Sequence, residues 1–142
     1  MILLFLFACE QQNPELELWD TKSGELLYSF PLKNRTFSLS FFHSVNKSDV
    51  EEFYTVKGDE IILTSCLYSS FGAGVADELP ENQKLTITSD GKMLIENINM
   101  KINPLIYSVS VAYDHFLHID GEIRNLTKLG LKNHSVEFRI QE

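Results

Sequence analysis

Polar and apolar residues alternate along most of this chain with the period of a β-strand, not that of a helix. Glu15-Leu-Glu-Leu-Trp19 is the first such run. After the turn Thr21-Lys-Ser-Gly24, Glu25-Leu-Leu-Tyr-Ser-Phe30 is a second strand that stops at Pro31. Beyond a turn at Lys33-Asn-Arg35, Phe37, Leu39, Phe41 and His43 fall on one face of a third strand, and Ser38, Ser40, Phe42 and Ser44 on the other. A polar turn from Asn46 to Asp49 leads to Glu52-Phe-Tyr-Thr-Val56, and Lys57-Gly-Asp59 joins that run to residues 60–68 as a hairpin. Residues 75–83 read as a loop punctuated by Pro80. Lys84-Leu-Thr-Ile-Thr88 and Lys92-Met-Leu-Ile-Glu96 flank Ser89-Asp-Gly91 as another hairpin. Residues 105–112 are the most β-prone run. Residues 115–120 and 135–140 supply the last strands, with Val136, Phe138 and Ile140 facing inward. The stretch 122–132, with leucines at 126, 129 and 131, is expected to hold one short helical turn. No segment has long helical periodicity. The pattern predicts an all-β chain, folded as a single-domain antiparallel β-sandwich or small barrel.

Composition narrows the picture. A chain of 142 residues with 44% hydrophobic content fits one domain with its own core. The net charge of −8 repels phosphate backbones, and no basic run is interleaved with aromatics, so no nucleic acid is expected as a partner. The cysteines, Cys9 and Cys66, do not make a disulfide framework, and Cys66 reads as a buried strand residue. Met1-Ile-Leu-Leu-Phe-Leu-Phe-Ala8 is wholly apolar but far too short to span a bilayer as a helix. It reads as the hydrophobic part of a secretory signal, and Leu6-Phe-Ala-Cys9 resembles the bacterial lipobox. That resemblance implies acylation at Cys9 and a domain held on the periplasmic face of a membrane. The expected organisation is a lipoprotein-type signal segment over residues 1–8, a tether over 9–14 and one β domain over 15–142.

Candidate chemistry gathers in two stretches. His43 lies on the apolar face of its strand, close to the strand's end. It reads either as a buried histidine satisfied by a backbone carbonyl or Glu52, or as a site group sharing its proton with Glu52. Ser44 is adjacent and points to the opposite face, so the two do not form a catalytic dyad, whereas Ser69 or Ser70 can approach His43 from the next-but-one segment. No Gly-x-Ser-x-Gly elbow is present. Ser70-Phe-Gly-Ala-Gly74 can turn several backbone N–H groups inward as a nest for a carboxylate, or simply form a bulge or tight corner. His115 and His118 point apart on a strand, so no metal site is expected. The Asn-x-Ser/Thr sequences at Asn34, Asn46, Asn125 and Asn133 read as turn chemistry. Trp19, Phe37, Phe41 and Phe71 are expected in the core.

Phe37-Ser-Leu-Ser-Phe-Phe-His-Ser-Val-Asn-Lys-Ser-Asp-Val-Glu-Glu-Phe53 and Ser70-Phe-Gly-Ala-Gly74 resemble the two motifs of a small exported β-domain of unknown function. That family is encoded beside TRAP-type transporters of the TAXI subtype, which use an ion gradient to move small organic acids. Its motifs read aromatic-x-His-Ser-Val, a spacer and Val-x-Glu, then Ser-aromatic-Gly-Ala-Gly-Leu-Pro. This chain departs at Val75-Ala76, where the family has Leu-Pro. The resemblance implies a non-enzymatic, membrane-anchored extracytoplasmic accessory domain without a cofactor. Such a domain would dock on the transporter's solute-binding or membrane subunits, or hold a ligand itself. His43, Ser44, Glu52, Ser70, Phe71, Gly72, Ala73 and Gly74 would form the ligand-binding or docking site. A standalone lipoprotein that binds small carboxylates uses the same residues. A hydrolase built on His43, Glu52 and a loop serine is the third reading.

Overall fold

The computed structural model describes residues 13–45, 47–70 and 79–142. In these residues β1 (Glu15–Asp20) and β2 (Leu26–Pro31) make a hairpin, and β3 (Thr36–His43), β4 (Ser48–Lys57) and β5 (Glu60–Tyr68) make a meander. Then come β6 (Lys84–Ile87), β7 (Met93–Glu96), β8 (Met100–Lys101), β9 (Leu105–Ser108), β10 (His115–Ile119) and β11 (Glu122–Asn125). A single wide helical turn at Thr127–Leu131 precedes β12 (Ser135–Gln141). All the ladders are antiparallel. The smaller sheet has the order β2-β1-β12-β9, and the larger runs β11-β10-β3-β4-β5-β7-β6, with β8 also paired to β5. Both sheets are open at their edges, so the chain is a sandwich and the barrel alternative falls away.

The two-residue period sets the core. Leu16, Leu18, Leu105, Val136 and Phe138 of the smaller sheet meet Phe37, Leu39, Tyr54, Val56, Ile61, Leu63, Leu117 and Ile119 of the larger one. Phe37 is central, with ring centroids 4.9 Å from Tyr54 and 6.0 Å from Phe138. Each fully buried side chain of this kind stabilises the fold by about 1.5–3 kcal/mol. A β-bulge interrupts the alternation of β5. Phe53 faces Ser65 and Tyr54 faces Leu63, so Thr64 is left over, and its hydroxyl donates to the Phe53 carbonyl at 3.0 Å. Ile61 and Leu63 point inward before the bulge, Cys66 and Tyr68 after it.

Several sequence expectations are corrected. The 105–112 run stops being a strand at Ser108. Val109 donates its N–H to the His134 carbonyl and accepts from the Asn133 N–H, both at 2.9 Å, so a turn claims its backbone before a sheet can. The stretch 122–132 does hold its one short helical turn, at Thr127–Leu131, but residues 122–125 ahead of it form β11. The Asp120-Gly121 pair, with φ of 49° and 80°, makes the tight two-residue connection that a β-hairpin favours. Strand β4 begins at Ser48, inside the stretch read as a turn. Trp19 is not in the core. It faces outward from β1, its indole N–H donates to Glu17 at 2.8 Å, and the Arg139 guanidinium lies 4.7 Å over its ring. Phe37 is buried as expected, and Phe41 is half-buried at the core's margin.

Candidate functional site

At the far end of β3 the register sets His43 opposite Ser48, with the exposed Ser44, Val45 and Lys47 in the turn between them. Lys47 has φ of 49°, the left-handed conformation that closes this turn. Strand β5 returns to the same place. Tyr68 pairs with Val50, and the Ser69 N–H donates to the Asp49 carbonyl at 3.0 Å. His43, Ser44, Ser69 and Ser70 are thus brought to one end of the larger sheet. Phe71, Gly72, Ala73 and Gly74 lie outside the described residues, as does Cys9. Ser48 is only 4% exposed, and among the described residues its hydroxyl has no hydrogen-bond partner. A buried hydroxyl in that state calls for an explanation, and a ligand or partner group is one.

Glu52 shares the inner face with His43 but stands four residues further along β4 than Ser48, ~13 Å at strand spacing. Its neighbours across the ladders are Leu39 and Cys66. The Tyr54 hydroxyl donates to its carboxylate at 2.8 Å. Burial pushes the Glu52 carboxyl above its ordinary value, and the Tyr54 hydrogen bond only partly offsets this. Burial and the nearby Glu52 charge also raise the Tyr54 and Tyr107 hydroxyls. Burial likewise pushes the Cys66 thiol up to about 11, the Tyr68 hydrogen bond opposing and Glu52 adding. A thiol so raised is inert, and Cys66 is a packing residue.

The histidine woven into the interior is His115, 6% exposed and stacked on Phe41 with the planes 12° apart. The Ser110 N–H donates to its Nε2 at 3.1 Å. Nδ1 therefore carries the ring proton and donates it to the Tyr107 hydroxyl at 2.7 Å. Burial lowers this histidine's pKa, against a smaller opposing pull from Asp114, so the neutral ring is favoured. His115 and His118 point to opposite faces of β10, and among the described residues no three His, Cys, Asp or Glu side chains are placed to hold a metal ion.

The outer face of the larger sheet carries polar pairs that the sequence reading did not single out. The Ser38 hydroxyl donates to Glu51 at 2.6 Å, and Ser40 Oγ lies 2.8 Å from His118 Nε2. They border a groove of about 490 Å³ whose lining includes Ser38, Phe53, Thr55, His118 and Asp120. A serine on an imidazole is half of a nucleophile–base pair. Both residues sit in mid-strand, however, where backbone N–H groups are committed to the ladders and cannot line an oxyanion hole. The signal for this face lay in the even-numbered residues of β3, which the alternation had already set apart from the core.

Among the described residues no helix is long and apolar enough to cross a membrane. No curated protein and no solved structure matches the chain. A family profile does match, over residues 37–126, which takes in everything from β3 to β11 and both motif stretches. The chain belongs to the family described as domain of unknown function DUF1850.

Proposed function

We propose that this chain is a lipid-anchored extracytoplasmic accessory domain of a TAXI-type TRAP transporter system for small organic acids, acting by docking and not by catalysis. The observation that carries this reading is the meeting of the β3–β4 turn with the start of the 70–74 glycine run at one end of the sheet. Exposed apolar side chains border that end: Val45 in the turn is 72% exposed, and Val111, in the loop before β10, is 58% exposed. Apolar residues presented in this way suit a protein partner.

The entry point of the chain fits the same picture. Arg35, just before β3, pairs with Glu142, just after β12, and Gln141 of β12 pairs with Glu15. Glu15 therefore lies beside the start of β3, and His43 stands ~25 Å away at the strand's other end. A short anchor through Cys9 would hold the Glu15 end at the membrane and turn the His43 end outward. The Ser48 hydroxyl, without a hydrogen-bond partner among the described residues, favours a second reading, in which the same end holds a small carboxylate in a standalone binding lipoprotein.

The test is uptake in cells that carry the transporter. Val45→Asp should lower uptake while leaving the thermal melt of the domain unchanged, His43→Ala should lower uptake with the domain still folded, and Cys9→Ser should release the protein from the membrane fraction. Normal uptake with both tip variants would reject docking. Saturable binding of an organic acid by the purified protein, lost in His43→Ala, would favour the second reading.

A further inference from the structure

On the outer face of the larger sheet, where β3 and β4 approach the loop before β10, lies a recess of about 430 Å³. Phe42 is its floor. The β3–β4 register places Asp49 directly across from Phe42 on one side. The β10–β3 ladder pairs His115 with Phe41, so Asp114, one residue further along, comes level with Phe42 on the other side. One aromatic ring is thus flanked by a carboxylate on each neighbouring segment, at a strand spacing of about 5 Å. Tyr113 leans on Phe42, centroids 4.7 Å apart and planes inclined by 47°. Phe116, paired with Ser40, gives the third aromatic wall. Asp114 is held in place by the Asn125 side-chain amide, which donates to one of its oxygens at 2.9 Å.

We propose that this recess binds a small alkylated ammonium ion of the quaternary, trimethylammonium type. Aromatic faces attract a cation through their quadrupole, and two carboxylates add the opposite charge. The walls are mainly aromatic carbon, which penalises a strongly hydrated cation that must give up its water. A quaternary ammonium has no N–H group to satisfy and loses little on entering. Among the described residues no Lys or Arg lines the recess. Lys92, which feels the Asp49 and Glu51 charges, is tied to Asp90 at 2.9 Å. A net charge of −8 further favours cations at the surface. This recess adjoins the tip assigned to docking, sharing Asp49 and the loop before β10 with it, but its binding chemistry does not depend on the transporter reading.

Calorimetric titration of the full chain with choline tests it, with 3,3-dimethyl-1-butanol as the neutral isostere and guanidinium as the planar cation. Choline should bind saturably, and the neutral isostere about tenfold more weakly or not at all. Asp49→Asn and Tyr113→Ala, both at exposed positions, should each weaken choline binding about tenfold with the thermal melt unchanged. Phe42→Leu keeps an apolar residue at the floor and should remove most of the affinity. The proposal fails if choline does not bind, if the isostere binds as well, or if Asp49→Asn leaves the affinity intact. Tighter binding of guanidinium than of choline would also overturn it, by pointing to an arginine side chain of a partner.

Discussion

The larger sheet carries buried and accessible chemistry back to back, and the two faces use the same residue types for opposite ends. On the inner face Glu52, Tyr54 and His115 are drawn into hydrogen bonds under the core, His115 with Tyr107 of the facing smaller sheet, and burial pushes their titrations toward the uncharged forms. On the outer face Ser38 pairs with Glu51 and Ser40 with His118 beside open grooves, and Asp49 and Asp114 flank an aromatic floor that solvent reaches. Chemical identity does not separate the two sets, since each contains carboxylates, a histidine and aromatic rings. Parity along the strand does. A polar residue facing inward is kept because the core closes around it, and one facing outward stays accessible for binding, the covered Ser38 excepted.

The largest effect should come from neighbours of opposite parity. Leu39→Ala, at a fully buried inner position, should cost about 2–5 kcal/mol in urea unfolding. Ser40→Ala, the next residue, should cost about 1 kcal/mol or less, since only one half-buried hydrogen bond is lost. Equal losses would dissolve the contrast between the faces. The histidines give a smaller and sharper comparison. His115→Ala leaves the Ser110 N–H without its imidazole acceptor in the interior and should cost about 1–3 kcal/mol, His118→Ala clearly less.

The smallest effect is a pH dependence. A carboxyl whose folded pKa is raised holds its proton more tightly folded than unfolded. Its contribution to stability is therefore complete below its ordinary value of 4.5 and is lost as pH rises through the raised value. His115 acts at the other side: its lowered pKa means that stability is lost as pH falls below 6.5. Glu52→Gln keeps an acceptor for Tyr54 and should flatten the loss on the rising side while leaving the acidic side in place. An unchanged profile between pH 4 and 8 would show that Glu52 is solvated like a surface residue.

Much of the sandwich was legible because strands with one buried face write their parity into the sequence. The alternation at residues 15–19, 37–43 and 136–140 returns as β1, β3 and β12. Places where tertiary hydrogen bonds override local preference were not legible. Val109 is β-branched within a β-prone run, yet the turn at residues 133–134 takes its backbone. At β11 the Asp120-Gly121 turn pair stands in the sequence, but the expectation of a helical turn rested on the leucine spacing that follows and did not use it. The candidate site was legible as a place. That β5 returns to the His43 end follows from hairpin connectivity, and the Ser69–Asp49 bond lies there. Glu52 was expected to serve His43, whereas the hydroxyl at its carboxylate is that of Tyr54, two residues on and on the same face. The outer recess was hidden because Asp49 read as a turn residue, and because Asp114 meets Phe42 only once β10 is laid beside β3.

The extra residue at Thr64 sets the reading frame of the rest of β5. Up to Leu63 the inward positions are odd-numbered, and from Cys66 they are even. Thr64 acts as an insertion that the sheet has already absorbed, one residue set outside the ladder. Removing it would join Leu63 to Ser65 and bring the pairs Tyr54–Leu63 and Phe53–Ser65 side by side, with Cys66 and Tyr68 still facing inward. Because β7 is laid against β5 through the pairs Cys66–Ile95 and Tyr68–Met93, its register would be kept as well. What a deletion would remove is the local bend of the bulge and the hydroxyl bond to Phe53. At this one point the strand tolerates a change of length that a one-residue slip of register elsewhere would turn into an exchange of faces.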